Sequence, residues 1–395
     1  MRSIKKRNIA EALVAMLALL LACLSLISEN PIFNRSAAFT PIDFSINKNV
    51  TESASQLFSK GTIKKITESK TMLTYYLSAV SADDNIKLPV NNPPTTAPPN
   101  EAAKISVGAT GPFQIKNETE ETIAKVSGSN TVDISYYENT YFLLIDAKLI
   151  STSSDGFIVD AGSDNAIILP SYTDLNWNKT VNLNQFRGVI DIKYSKKSKK
   201  LWAVNELSLE DYLRGVSEAK ADAPSEHLKV MAIVERSYAW HHIKNGGKHE
   251  GEPFILKNSR GGNGDDQIYQ GYLAELRLPT IVSAAVATRG SVVTYLGDPV
   301  ITPYSSNPGG RTLSPQEAGW GNLNWPWVKS VLDPDTAGMV KNGHGVGLSG
   351  VGSLKRAERG EKNENILGYY FPGTSIGQVP SDSVMMRVAI YGVEG

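Results

Sequence analysis

Residues 207–218 read Leu207-Ser-Leu-Glu-Asp-Tyr-Leu-Arg-Gly-Val-Ser-Glu218. After Pro224-Ser225 the chain continues Glu226-His-Leu-Lys-Val-Met-Ala-Ile-Val-Glu-Arg-Ser-Tyr-Ala-Trp-His-His242. In the second stretch Leu228, Met231, Ala232 and Ala239 share one face at helical spacing, which predicts a helix over 225–244. Gly246-Gly247 stops it. A second helix is expected from Pro279 to Thr288, with proline at the first position, where the missing N–H costs nothing. Upstream, Ile105-Ser-Val-Gly, Thr131-Val-Asp-Ile-Ser-Tyr-Tyr, Tyr141-Phe-Leu-Leu-Ile, Gly156-Phe-Ile-Val, Gly188-Val-Ile-Asp-Ile-Lys-Tyr and Leu201-Trp-Ala-Val-Asn read as short strands. Between the last two lies Ser195-Lys-Lys-Ser-Lys-Lys, a solvated hairpin turn or a basic patch for an anionic wall polymer, with the turn favoured. From 288 to about 375, glycine-rich loops alternate with short apolar runs, and no internal repeat is evident. One main helix among many short strands predicts a strand-rich α+β fold in which that helix supports the loop ending at Glu218.

Further out, the N-terminus sets the compartment. Arg2, Lys5, Lys6 and Arg7 precede an apolar stretch from Ile9 to Ile27, the pattern of an export signal. Its length of about 19 residues is close to the roughly 20 a membrane helix needs. The basic flank would stay cytoplasmic and the rest of the chain would be exported. An uncleaved anchor over residues 9–27 is the first reading, a cleaved secretory signal the second, and a lipoprotein signal through Cys23 (Leu20-Leu21-Ala22-Cys23) the third. Residues 31–88 show weak periodicity, and residues 89–100 hold five prolines among small polar residues, a semi-rigid spacer. The expected organisation is therefore an anchor or signal at 1–30, a weakly structured region with a Pro-rich linker at 31–104, a folded domain at 105–375, and a C-terminal strand or tail at 376–395.

Composition excludes several classes of function. Among 395 residues, 40 Lys+Arg balance 40 Asp+Glu, so no basic excess argues for nucleic-acid binding. With hydrophobic residues at 41%, the chain can bury a core. The single cysteine rules out an intrachain disulfide and a cysteine-based zinc site. His241 and His242 are adjacent on a helix and point about 100° apart, so they do not readily share one ion with each other or with His249. Gly262-Asn-Gly264 lacks the following Gly-Lys-Ser/Thr of a nucleotide-binding loop. No metal or other cofactor is expected.

Beyond Glu218 and the helix segment Glu235-Arg-Ser-Tyr-Ala239 come three further blocks. These are Asp265-Asp-Gln-Ile-Tyr-Gln-Gly271, Tyr304-Ser-Ser-Asn-Pro-Gly-Gly-Arg-Thr312 and, after Trp320-Gly321, Gly343-His-Gly-Val-Gly-Leu-Ser349. Taken in this order, the five motifs resemble the SpoIID/LytB family, the sporulation-protein-D-like lytic transglycosylases of bacterial cell walls, which includes proteins described as amidase enhancers. The resemblance covers roughly 105–375, with the motifs concentrated in 207–352. It implies a catalytic glutamate shortly after the Leu-x-Gly-Val segment and nine residues before the position of His227, which is Glu218. Family members often read Glu-Met-Pro there, whereas this chain reads Glu218-Ala-Lys-Ala, with a shorter gap after Gly215. Two further departures are Glu235, where a small residue is usual, and Gly350, where glutamine is frequent.

A carboxyl at the end of an apolar run can be partly desolvated and kept protonated near neutrality, so Glu218 suits general acid and then base work. A hydrolase would need a second carboxylate, for which the motif blocks offer Asp265 and Asp266. The resemblance implies instead a single-carboxyl route, in which the sugar's own C6 hydroxyl attacks the anomeric carbon and leaves a 1,6-anhydro-N-acetylmuramic acid end. It also implies a sugar cleft shaped by Arg236, Gln267, Tyr304, Ser305, Ser306, Gly310, His344 and Gly345. Arg236 is expected either to donate to substrate or to form a structural ion pair. Tyr304 would stack on a sugar face, and His344, flanked by glycines, would orient substrate or position Glu218. The expected partners are peptidoglycan glycan strands, the membrane through the N-terminal helix, and a cell-wall amidase or other envelope protein. A non-catalytic, wall-binding amidase enhancer is the alternative function.

Overall fold

β-Branched and aromatic runs broken by turn residues form most of the secondary structure from residue 103 onward in the computed structural model, which describes residues 97–176, 178–259 and 266–395. The anchor at 1–30, most of the 31–104 region and the loop holding Asp265 lie outside these residues. Chain order begins with eleven strands. They are β1 (Ala103–Ala109), β2 (Phe113–Lys116), β3 (Thr122–Val126), β4 (Val132–Tyr137), β5 (Thr140–Ile145), β6 (Lys148–Ser153), β7 (Phe157–Asp160), β8 (Ile167–Ile168), β9 (Gln185–Phe186), β10 (Val189–Ser195) and β11 (Lys200–Ser208). Then follow α1 (Leu209–Gly215), α2 (Ser225–Lys244), β12 (Leu256–Lys257), α3 (Gly271–Arg277), α4 (Pro279–Ala287), β13 (Ser291–Tyr295), β14 (Asp298–Pro299), β15 (Tyr304–Ser305), β16 (Leu348–Ser349), α5 (Gly350–Glu358), α6 (Asn363–Tyr370), β17 (Thr374–Gln378) and β18 (Met385–Glu394). The fold is α+β and strand-rich. Among the described residues no helix is long and apolar enough to cross a membrane.

One sheet runs β6-β5-β4-β1-β8-β9 and a second runs β12-β18-β11-β10-β7-β2-β3. Their inward residues, including Ile105, Ile134 and Leu143 from one and Ile115, Ile190 and Leu201 from the other, join one core. Tyr136 on β4 stacks on Tyr194 of β10 with centroids 4.0 Å apart, clamping the two sheets. The Lys-rich stretch at 196–199 is the turn between β10 and β11. The boundary expected at 375 does not mark an edge: β18 lies between β12 and β11 and pairs along β11 from Lys200–Glu394 to Ser208–Met385. All described residues belong to one compact unit, Asn91–Gly395.

α2 begins at Ser225 and ends at Lys244, as its pattern predicts. It is buried on more sides than the pattern shows. Ala232, Ala239 and Trp240 face the sheet core, whereas Val230, Met231, Ile233 and Val234 face a second core with Val293, Leu348, Ile366 and Phe371. A helix apolar on most of its circumference sits between layers and not on a surface. The helices α5 and α6 fall in the stretch expected to be loops. Ser349 starts α5 by accepting a hydrogen bond from Gly352 N at 2.9 Å, and the helix then packs on α2 and α6.

Candidate active site

Glu218 follows directly from a short antiparallel contact. Gln270 N donates to Gly215 O at 2.8 Å, and Ser217 N donates to Ile268 O at 2.9 Å. This fixes the loop before α2 against residues 267–270, so Ile268 N donates to Glu218 Oε1 at 2.8 Å. The Tyr304 hydroxyl donates to the same oxygen at 3.3 Å. Oε2 receives neither bond, which makes it the oxygen that carries the proton when the acid is neutral. Glu218 is partly exposed, and burial pushes its pKa up despite the two opposing hydrogen bonds.

A relay of hydrogen bonds positions Tyr304. Tyr212 OH donates to Gln267 Oε1 at 3.1 Å, and Gln267 Nε2 donates to Tyr304 OH at 3.0 Å and to Glu235 O at 3.2 Å. Gln267 is only 1% exposed, so it orients the tyrosine and does not line a sugar cleft as expected. Arg236 is a second correction. It is fully buried, with Nε to Glu210 Oε1 at 2.8 Å and Nη2 to Glu210 Oε2 at 2.9 Å. Its five N–H groups are consumed in the core between α1, α2 and α4, so it does not face a ligand.

β15 and β16 pair in parallel, Tyr304 with Leu348 and Ser305 with Ser349, which brings the last two motif blocks together. Ser305 Oγ accepts from Gly345 N at 3.1 Å. A Cβ on Gly343 would lie 2.8 Å from Ser305 Cβ, and one on Gly347 would lie 2.1 Å from Pro303 O. Only glycine permits that approach at their positive φ values of 89° and 75°. Val346 N donates to His344 Nδ1 at 2.9 Å, and burial depresses the imidazole pKa to about 4, so it is neutral at physiological pH. Ser306 is exposed and its carbonyl accepts from Val351 N. Gly310 donates from its N–H to Thr336 Oγ1 at 2.9 Å within a turn, and Gly345 is buried, so neither shows a structural reason to be a sugar contact.

Sequence reading missed the role of Glu235. Only 4% exposed, it is pushed up to about 8 by burial and by the charge of Glu218. The available signal was a lone acid in the apolar run Val230–Val234 of a helix. Asp266, by contrast, has no exposed side-chain surface and is held low by Lys248, the Lys257 backbone N–H and His249, whose Nε2 lies 2.6 Å from Oδ2. His241 and His242 rings stand at 85° to each other. Among the described residues no group of three potential metal ligands converges.

Fold and site together define a strand-rich α+β domain that presents one partly exposed carboxyl, its pKa raised by burial, beside a tyrosine and a neutral histidine. Residues 197–295 match the SpoIID family model, described as Stage II sporulation protein. The matched stretch holds Glu218, α2 and Gln267; Tyr304 and His344 lie beyond it. A curated relative, an uncharacterised protein of Brachyspira hyodysenteriae, is 37% identical over 115 residues. The alignment spans 28% of this chain and 28% of the length of that protein.

Proposed function

We propose that this protein is a lytic transglycosylase acting on the glycan strands of peptidoglycan, exported and tethered to the membrane by residues 9–27. The observation that supports the reading is that, among the described residues, Glu218 is the partly exposed carboxyl that Tyr304 contacts. A glycosidase with two carboxylates needs an ionised partner as nucleophile or base. Here buried Asp266 is held by Lys248, the Lys257 N–H and His249, and buried Glu235 retains its proton below about pH 8. Single-carboxyl chemistry fits that arrangement.

In the proposed reaction Glu218 Oε2–H protonates the oxygen bridging N-acetylmuramic acid and N-acetylglucosamine. The bond from the anomeric carbon to that oxygen breaks, and positive charge develops on the sugar ring. The C6 hydroxyl of the same muramic unit then attacks the anomeric carbon and gives its proton to Glu218. The acid is regenerated, a 1,6-anhydro end forms and no water is consumed. Tyr304 donates to Oε1 throughout and stabilises the carboxylate phase.

Glu218→Ala, incubated with purified wall and no partner enzyme, is expected to release no anhydro-muropeptides by mass spectrometry while its unfolding midpoint stays near that of the parent. Undiminished release ends the assignment. Wall binding without soluble products from the parent itself supports the amidase-enhancer alternative instead.

A further inference from the structure

A connected series of contacts leads away from Glu218 to a second set of sugar-compatible groups. Glu218 touches Tyr304, and the His344 ring interacts with the Tyr304 backbone. The edge of Trp320 meets His344 at 4.8 Å between centroids, and Trp320 meets Trp325 at 6.4 Å. Trp325 lines an open recess of about 540 Å³ together with Gln316, Asn324, Arg311, Lys329 and Glu317. Trp320 is 38% exposed, so part of its indole is open to solvent.

We infer that Trp320 and the recess beside Trp325 form an extended subsite for amino-sugar units of the same glycan strand, lying beyond the bond that Glu218 cleaves. A pyranose has an apolar C–H face bordered by hydroxyl and acetamide groups. Trp325, with the amide, guanidinium and ammonium donors that line the recess, and Trp320 adjoining Trp325 outside that lining, offer both parts. Arg311 commits Nε to Ser330 Oγ at 2.6 Å, and its Nη groups make no hydrogen bond to another of the described residues. Glu317 accepts from Ser314 N at 2.8 Å, so its charge is already partly engaged. The walls are too polar for an apolar peptide, and the site is too mixed in charge for a simple polyanion. The inference rests on the glycan reading above and adds that affinity depends on strand length.

The test uses the full chain with Glu218→Gln, so that oligomers bind without turnover, and calorimetry with an amino-sugar tetramer and octamer derived from peptidoglycan. The octamer is expected to bind more tightly than the tetramer. Trp320→Ala is expected to weaken octamer binding about tenfold and abolish the length advantage, and Trp320→Tyr to restore most of it. An unfolding midpoint for each variant separates lost binding from lost fold. Octamer affinity unchanged in Trp320→Ala overturns the subsite while leaving the transglycosylase reading intact. Length-dependent binding lost in Trp320→Ala, with no anhydro product from the unsubstituted chain, overturns the reaction while sustaining the subsite. No binding of either oligomer by the parent overturns both.

Discussion

Replacing Arg236 by alanine tests whether this residue belongs to the core or to the ligand site. The guanidinium is fully buried and bidentate to Glu210, and also donates to Ala285 O at 3.0 Å and to Thr288 Oγ1, Ser291 O and Ala232 O at 3.3 Å. It thereby joins α1, α2, α4 and the start of β13. Glu210 also accepts from Gly290 N at 3.2 Å and Ser381 Oγ at 2.5 Å. Removal of the arginine strands a buried carboxylate and several carbonyls, so Arg236→Ala is expected to cost about 3–5 kcal/mol of unfolding free energy. Arg236→Lys offers one ammonium where a planar fork is needed and is expected to recover only part of this. Arg236→Met with Glu210→Leu removes both charges and is expected to lie well above the sum of the single losses. Urea unfolding of the four proteins, with glycan affinity measured in parallel on each folded variant, decides the matter. A loss under about 1 kcal/mol accompanied by weakened glycan binding would refute the core assignment and return Arg236 to the cleft. The same pair has a pH signature. Burial alone would raise the Glu210 carboxyl, but Arg236 holds it below its ordinary 4.5. Its contribution is therefore present above that value and is lost as pH falls through the lower folded value.

Three further outcomes follow from the site. Tyr304→Phe removes a donor from Glu218 Oε1 and is expected to lower kcat about tenfold and to move the alkaline limb of the pH–rate profile upward; a limb that stays in place would contradict the hydrogen bond. Glu235→Gln removes a group whose folded pKa of about 8 lies above its unfolded 4.5. The parent should lose stability from pH 4.5 towards 8 as the buried acid ionises less readily than the unfolded one, and the variant should show a flatter curve; equal slopes in denaturant titrations would count against a buried neutral acid. Gly347→Ala places a Cβ against Pro303 O in a left-handed backbone. It should lower stability by more than about 1 kcal/mol, and an unchanged thermal midpoint would disprove the close approach.

Much of the local architecture was legible because its signals are short-range. β-Branched runs marked β1, β4, β5, β7, β10 and β11, and a glycine pair marked the end of α2. Glu218 is singled out by the resemblance of the motif order to the SpoIID/LytB family, and its small and apolar neighbours alone leave it an ordinary loop glutamate. α5 was not legible, because its nine residues include two glycines and its start depends on the Ser349 cap. Residues 376–395 read only as a strand or tail, because the partner that makes β18 a central strand, β11, lies far away in the chain. Glu235 and Arg236 are adjacent, yet their fates differ. Arg236 meets a carboxylate 26 residues upstream, whereas Glu235 is buried near the charge of Glu218, which outweighs the opposing effect of Arg236.

By itself the sequence determined the class of fold and the limits of the main helix, since both depend on neighbouring residues. Only the tertiary structure decided which oxygen of Glu218 is left without those two hydrogen bonds, that Arg236 serves the core, and that Gln267 meets Tyr304. Those outcomes depend on distance, burial and the direction of hydrogen bonds between segments tens to hundreds of residues apart. Such quantities come into being only when the chain closes on itself.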